Sequence, residues 1–100
     1  MMKKAYWIVQ YKAVSDEAAL KEYGKLAEIA LVAGGGKLLV RTAGDGVLPF
    51  EAGIAERTVV VEFDNLDKAI VTRNGEAYQA AMAALGNAAV RDFRIVEAFA

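Results

Sequence analysis

The sequence contains neither cysteine nor histidine. Without cysteine there is no disulfide, no thiolate metal site and no cysteine nucleophile. Without histidine the commonest metal ligand and the commonest general base near neutral pH are gone. A Ser-His-Asp triad and a histidine-ligated haem go with them. Charge of one sign is not in excess either. The 12 basic and 13 acidic residues give a net charge of −1, and no basic stripe marks a nucleic-acid partner. Long apolar runs are also missing. The run in "MMKKAYWIVQYK" breaks at Gln10, too short for a secretory segment. No stretch approaches membrane-spanning length. The expectation is a cytoplasmic protein with neither a membrane nor a nucleic-acid partner.

What is present is core-forming material: 56% of the residues are hydrophobic. One hundred residues suit one domain over 1–100, burying roughly two-thirds of the surface exposed when unfolded. "AYWIVQY" (5–11) is aromatic and β-branched and predicts a strand. Ser15 is the expected N-cap of a helix running to Ala33, with Tyr23, Leu26, Ala27 and Ala30 on its inner face. "KLLVR" (37–41) and "RTVVVEF" (57–63) predict strands around a glycine-rich loop that holds the only proline. Asp64 is the expected cap of a second helix, which Asn74-Gly75 interrupts and 76–85 resumes. "DFRIVEAF" (92–99) closes the chain as a strand. The order β-α-β-β-α-β predicts an α+β, ferredoxin-like fold. It has a four-stranded antiparallel sheet with helices on one face.

The glycines of "VAGGGKLLV" (32–40) raise the question of a phosphate loop. Such a loop needs strand, loop and then helix, so that helix N-terminal amides meet the phosphate. Here the helix comes first, and Leu38 stands where a phosphate loop has Ser or Thr. The glycines predict a helix end, with Gly34 as the left-handed cap. Strand 57–63 lacks the spaced aromatics of an RNA-recognition sheet, and Asp45, Glu51 and Glu56 lack calcium-loop spacing. No cofactor or metal is expected.

Strand alternation assigns Trp7, Val9, Tyr11, Val59, Val61, Phe63, Phe93 and Ile95 to the helices. The opposite set mixes Ile8, Leu39, Val60 and Val96 with Tyr6, Gln10, Arg41, Thr58, Glu62 and Arg94. A solvated face should be mostly polar, and one this apolar predicts an interface. A second copy packed sheet to sheet would cover it and enclose a mixed-polarity cavity.

The segments "KAYWIVQYKAVSDEAALKEYGKLA", "GGKLLVR", "ERTVVVEF" and "YQAAMAALGNAAVRDFRIVE" cover nearly the whole chain. Together they resemble the DUF1330 family, small bacterial domains of unknown function in the dimeric α/β-barrel superfamily. The resemblance implies the same fold and a sheet-to-sheet homodimer, and it implies no established reaction. "GEAY" (75–78), Leu85 and Ala98 depart from that family's usual pattern.

Tyr6, Gln10, Arg41, Glu62 and Arg94 are the candidate ligand-binding residues. They would form a polar end to the cavity, orienting an anionic or carbonyl-bearing small molecule. The alternative is an Arg–Glu network that fixes the register of the dimer. Arg91-Asp92 and the hydroxyls of Tyr23 and Tyr78 are further polar candidates, with Tyr23 read as core. Two functions follow. One is a homodimer that binds a small apolar or aromatic molecule, or serves as a purely structural scaffold. The other is a cofactor-independent enzyme, monooxygenase- or isomerase-like, with Glu62 as the best-placed carboxylate base.

Overall fold

Alternation along the first strand decides the layering. Ala5, Trp7, Val9 and Tyr11 are buried while Gln10 and Lys12 are exposed, so one side of the sheet receives the helices. The computed structural model describes residues 2–100. Its elements are β1 (Ala5–Val14), α1 (Glu17–Ala33), β2 (Lys37–Thr42), β3 (Thr58–Phe63), α2 (Leu66–Asn74), α3 (Glu76–Leu85) and β4 (Ala89–Glu97). The strands form one antiparallel sheet in the order β2-β3-β1-β4. This is the expected ferredoxin-like arrangement.

Trp7 stands at the centre of the core. Its ring lies 5.1 Å from Phe63, 4.9 Å from Tyr78 and 5.3 Å from Phe93. Its indole Nε1 donates to the Ala69 carbonyl at 3.0 Å, tying α2 to the sheet. Each large side chain buried this way contributes roughly 1.5–3 kcal/mol, and the tilted pairs add to that through their quadrupoles.

Several local expectations shift by a residue or so. Asp16, not Ser15, caps α1 by accepting from the Ala19 amide, and the Ser15 hydroxyl donates to the Ala88 carbonyl. Asn65, not Asp64, caps α2, while Asp64 pairs with Lys4 at 3.0 Å. In both places two adjacent residues had capping chemistry, and geometry selected the second. β4 starts at Ala89 and stops at Glu97, leaving Phe99 fully exposed.

The helix-ending glycines divide their tasks. Gly34 has ordinary right-handed angles, φ −86° and ψ 0°, and Gly35 carries the left-handed φ of +78°. Gly34 is small for another reason: a Cβ there would collide with the Thr72 side chain of α2.

Candidate functional site

The register decides which side chains share a surface. Tyr6 faces Glu62 across β1 and β3, Ile8 faces Val60, and Gln10 faces Thr58. On the other flank of β1, Tyr6 faces Val96, Ile8 faces Arg94, and Gln10 faces Asp92. Tyr6, Gln10, Glu62 and Arg94 therefore lie on the open side of the sheet, as alternation predicts. They do not converge into a cluster. The Arg94 guanidinium takes both oxygens of Asp92, at 3.0 and 3.1 Å, rather than Glu62. Glu62 instead accepts from the Tyr6 hydroxyl at 3.4 Å and lies 4.0 Å from the Lys4 ammonium.

Arg41 is on the other side. Leu38 pairs with Val61 and Val40 pairs with Val60, so Leu39 is the extra residue of a β-bulge. Every position after a bulge changes face relative to simple alternation. Arg41 consequently pairs with Val59 and shares the helix side with it. The expected placement of Arg41 and Leu39 on one open face is thus corrected, and the cause is one inserted residue.

Arg41 arrives at a hollow. Between α1 and the helix side of β1, β2 and β3 lies a cavity of about 250 Å³. Trp7, Val9, Tyr11, Val59 and Val61 form its floor, and Leu20, Tyr23, Gly24, Ala27 and Leu31 come from α1. Leu38, Arg41, Arg57, Arg91 and Glu28 also line it, with Val32 and Gly36. Glu62 does not reach it, so the one carboxylate in the lining is Glu28. This cavity lies on the helix side and is bounded by a single copy of the chain, unlike the cavity expected between two sheets.

Gly24 explains part of the space. It sits in the interior of α1, where glycine costs roughly 0.5–1 kcal/mol relative to alanine. A Cβ added there would meet no atom within 4 Å. No close packing demands this glycine, and the room it leaves belongs to the cavity. The sequence carried a signal for it, a lone glycine inside an otherwise helical period.

The inner wall is polar in a controlled way. The Arg91 guanidinium donates to the Tyr23 hydroxyl at 3.0 Å and approaches the Met82 Sδ at 3.2 Å. The Tyr23 and Tyr78 hydroxyls are 2.6 Å apart. Arg91 also lies over the rings of Tyr11, Tyr23 and Phe93, at 5.5, 5.0 and 5.4 Å, which suits a weakly hydrated planar cation. Burial, then the neighbouring Tyr78, pushes the Tyr23 hydroxyl far above the usual tyrosine range, against the pull of Arg91. Burial also raises Tyr11. For Arg91, burial opposes the charge, but the surrounding tyrosine hydroxyls outweigh it and the pKa is raised. Arg91 stays a cation and the two phenols stay neutral.

No group of three or more acidic side chains capable of holding a metal ion occurs among the described residues. No helix there is long and apolar enough to cross a membrane.

An antiparallel β2-β3-β1-β4 sheet with helices on one side defines a ferredoxin-like α+β fold. The chain belongs to the family described as a domain of unknown function, DUF1330, whose model matches residues 4–99. Solved structures share the fold at low identity. A protein of unknown function from Rhodopseudomonas palustris is 11% identical with a TM-score of 0.74, over 100% of this chain and 85% of that one. SnoaB, a cofactor-independent oxygenase from Streptomyces nogalater, is 10% identical with a TM-score of 0.60, over 98% and 95%. A dimeric ferredoxin-like protein of unknown function from Thermobifida fusca is 14% identical with a TM-score of 0.57, over 98% and 93%. No curated protein matches the chain. At these identities the likeness is one of fold.

Proposed function

We propose that this chain is a homodimeric binding protein for a small apolar or aromatic molecule, held in the hollow beneath α1. The observation that carries the reading is Gly24: a helix-interior glycine whose missing side chain leaves open space lined by aromatic and aliphatic groups. At about 250 Å³ the hollow is slightly below the roughly 300–1,000 Å³ of drug-sized sites. Its ligand is of single-ring size. Trp7 is the only tryptophan and forms part of the floor, so its fluorescence reports occupancy. Gly24→Leu places a side chain in that space. It should abolish ligand-induced fluorescence changes while the protein stays folded. Unchanged binding in Gly24→Leu removes the hollow as the site.

The dimer is proposed through the open sheet face, where Tyr6, Ile8, Val60 and Val96 make an apolar strip between polar neighbours. The Thermobifida protein of the same fold is dimeric, which supports the assignment. Sedimentation at micromolar concentration should give about twice the 10.7 kDa of the chain. A single-chain mass would sink it.

A second reading, a cofactor-independent enzyme, is favoured by one observation, the shared fold of the Streptomyces oxygenase. In that case the hollow would hold the substrate. Glu28, its one carboxylate, would have to serve as any carboxylate base, in place of the expected Glu62.

A further inference from the structure

We infer that the ligand of the hollow carries a carboxylate, seated at the mouth by Arg41 and Arg57. This rests on the binding reading above and narrows it to small monoanionic acids with an apolar or aromatic body. Three guanidinium groups line the hollow against one carboxylate, Glu28. Among the described residues, none of the three forms an ion pair. Arg91 is engaged inside, donating to Tyr23 and packed on rings. Arg41 and Arg57 are the ones left over.

Their placement is specific. Val59 pairs with Arg41, and Arg57 lies two residues before Val59 on the same chain, so both arginines project to the helix side as diagonal neighbours. Like charges set this close repel one another. The Arg57 guanidinium lies 5.8 Å from the Tyr11 ring centroid, which holds it beside the opening. Arg41 reaches that side only because the bulge at Leu39 changes its face. A bulge gives up regular ladder pairing, and re-aiming a side chain next to a site is what bulges commonly do. Here it brings a second cation to a mouth that already has one. Leu38, 43% exposed although on the helix side, keeps that mouth apolar. Two planar forks beside an apolar hollow match a planar carboxylate, which each can meet with paired N–H donors. The ring or branched body then lies against Val59 and Trp7. A doubly charged phosphate ester gains less here, since Glu28 opposes a second negative charge.

The test uses benzoate, phenylacetate, cinnamate and hexanoate beside their uncharged amides, titrated against the full chain by Trp7 fluorescence. At least one acid should bind about tenfold or more tightly than its amide, the worth of one charge-assisted contact. That preference should shrink with added salt. Arg41→Gln changes an exposed side chain, so the fold should persist, as a melting curve will show; it should reduce the preference about tenfold. Arg57→Gln should act in the same direction, and Arg41→Glu should reverse the preference. Equal binding of acid and amide, or a preference unchanged in both Arg41→Gln and Arg57→Gln, overturns the carboxylate assignment and leaves the binding reading intact. Silence from all eight compounds overturns the binding reading, and this assignment with it.

Discussion

The hydroxyls of Tyr23 and Tyr78 meet at 2.6 Å between α1 and α3, and only Tyr23 is also reached by the Arg91 guanidinium. The two phenols are therefore not equivalent. Tyr78→Phe leaves Tyr23 with Arg91 as its partner, and should cost about 1 kcal/mol. Tyr23→Phe strips the buried Tyr78 hydroxyl of its partner and removes the acceptor of Arg91. It should cost roughly 1–3 kcal/mol. Denaturant midpoints of both single variants and the double variant give the order and the coupling. Equal costs would remove the asymmetry.

Tyr23, together with Tyr11, predicts an alkaline limit. Burial raises the folded pKa values of Tyr23 and Tyr11 above the ordinary tyrosine value of about 10. Below 10 both are neutral in either state, so their burial contributes fully. As pH rises past that value the unfolded chain releases their protons while the folded one holds them, and stability falls. Melting temperature should decline steadily above pH 10, with a smaller slope in Tyr23→Phe. An identical slope in that variant would show that Tyr23 does not contribute.

Gly34 and Gly35 should fail differently when replaced. Gly35→Ala forces alanine into the left-handed region, a cost of roughly 1–2 kcal/mol that no second change relieves. Gly34→Ala drives a methyl into the Thr72 hydroxyl and Cγ2. Its cost should be partly recovered by adding Thr72→Ala, which removes both. Thermal unfolding of the pairs checks the rescue, which Gly35→Ala should not share. Lys37→Ala should leave stability and ATP titrations unchanged, since a strand and not a helix follows the glycines.

Glu62→Gln should have a small effect on the proposed dimer. Its carboxylate is met by a long hydrogen bond from Tyr6 and a distant, half-exposed Lys4, and neither arginine of the sequence reading reaches it. A change below about 1 kcal/mol is expected. Ile8→Asp or Val60→Asp should instead split the dimer at micromolar concentration. A tight dimer in both would move the interface elsewhere.

Most of the fold was legible because β1 and β3 alternate plainly, and Trp7, Val9, Val61 and Phe63 announce the buried side. The site was less legible. In β2 three apolar residues run consecutively, Leu38, Leu39 and Val40, so no alternation betrays which one is extra. Counting by twos from either end gives opposite faces for Arg41. The pairing of Arg91 with Tyr23 spans 68 residues, and neither residue type at its own position signals the other. Gly24 could have been noticed: its helix needed no hinge there.

The bulge has a consequence for comparing chains of this kind. Which compartment a β2 side chain enters depends on whether the segment between Leu38 and Arg41 pairs with or without the bulge. Regular pairing of the same residues would turn Arg41 to the opposite surface and send Val40 toward the hollow. A relative one residue shorter there needs no bulge and still delivers its arginine to the hollow. Segment length and register together, not residue identity alone, decide what this strand presents.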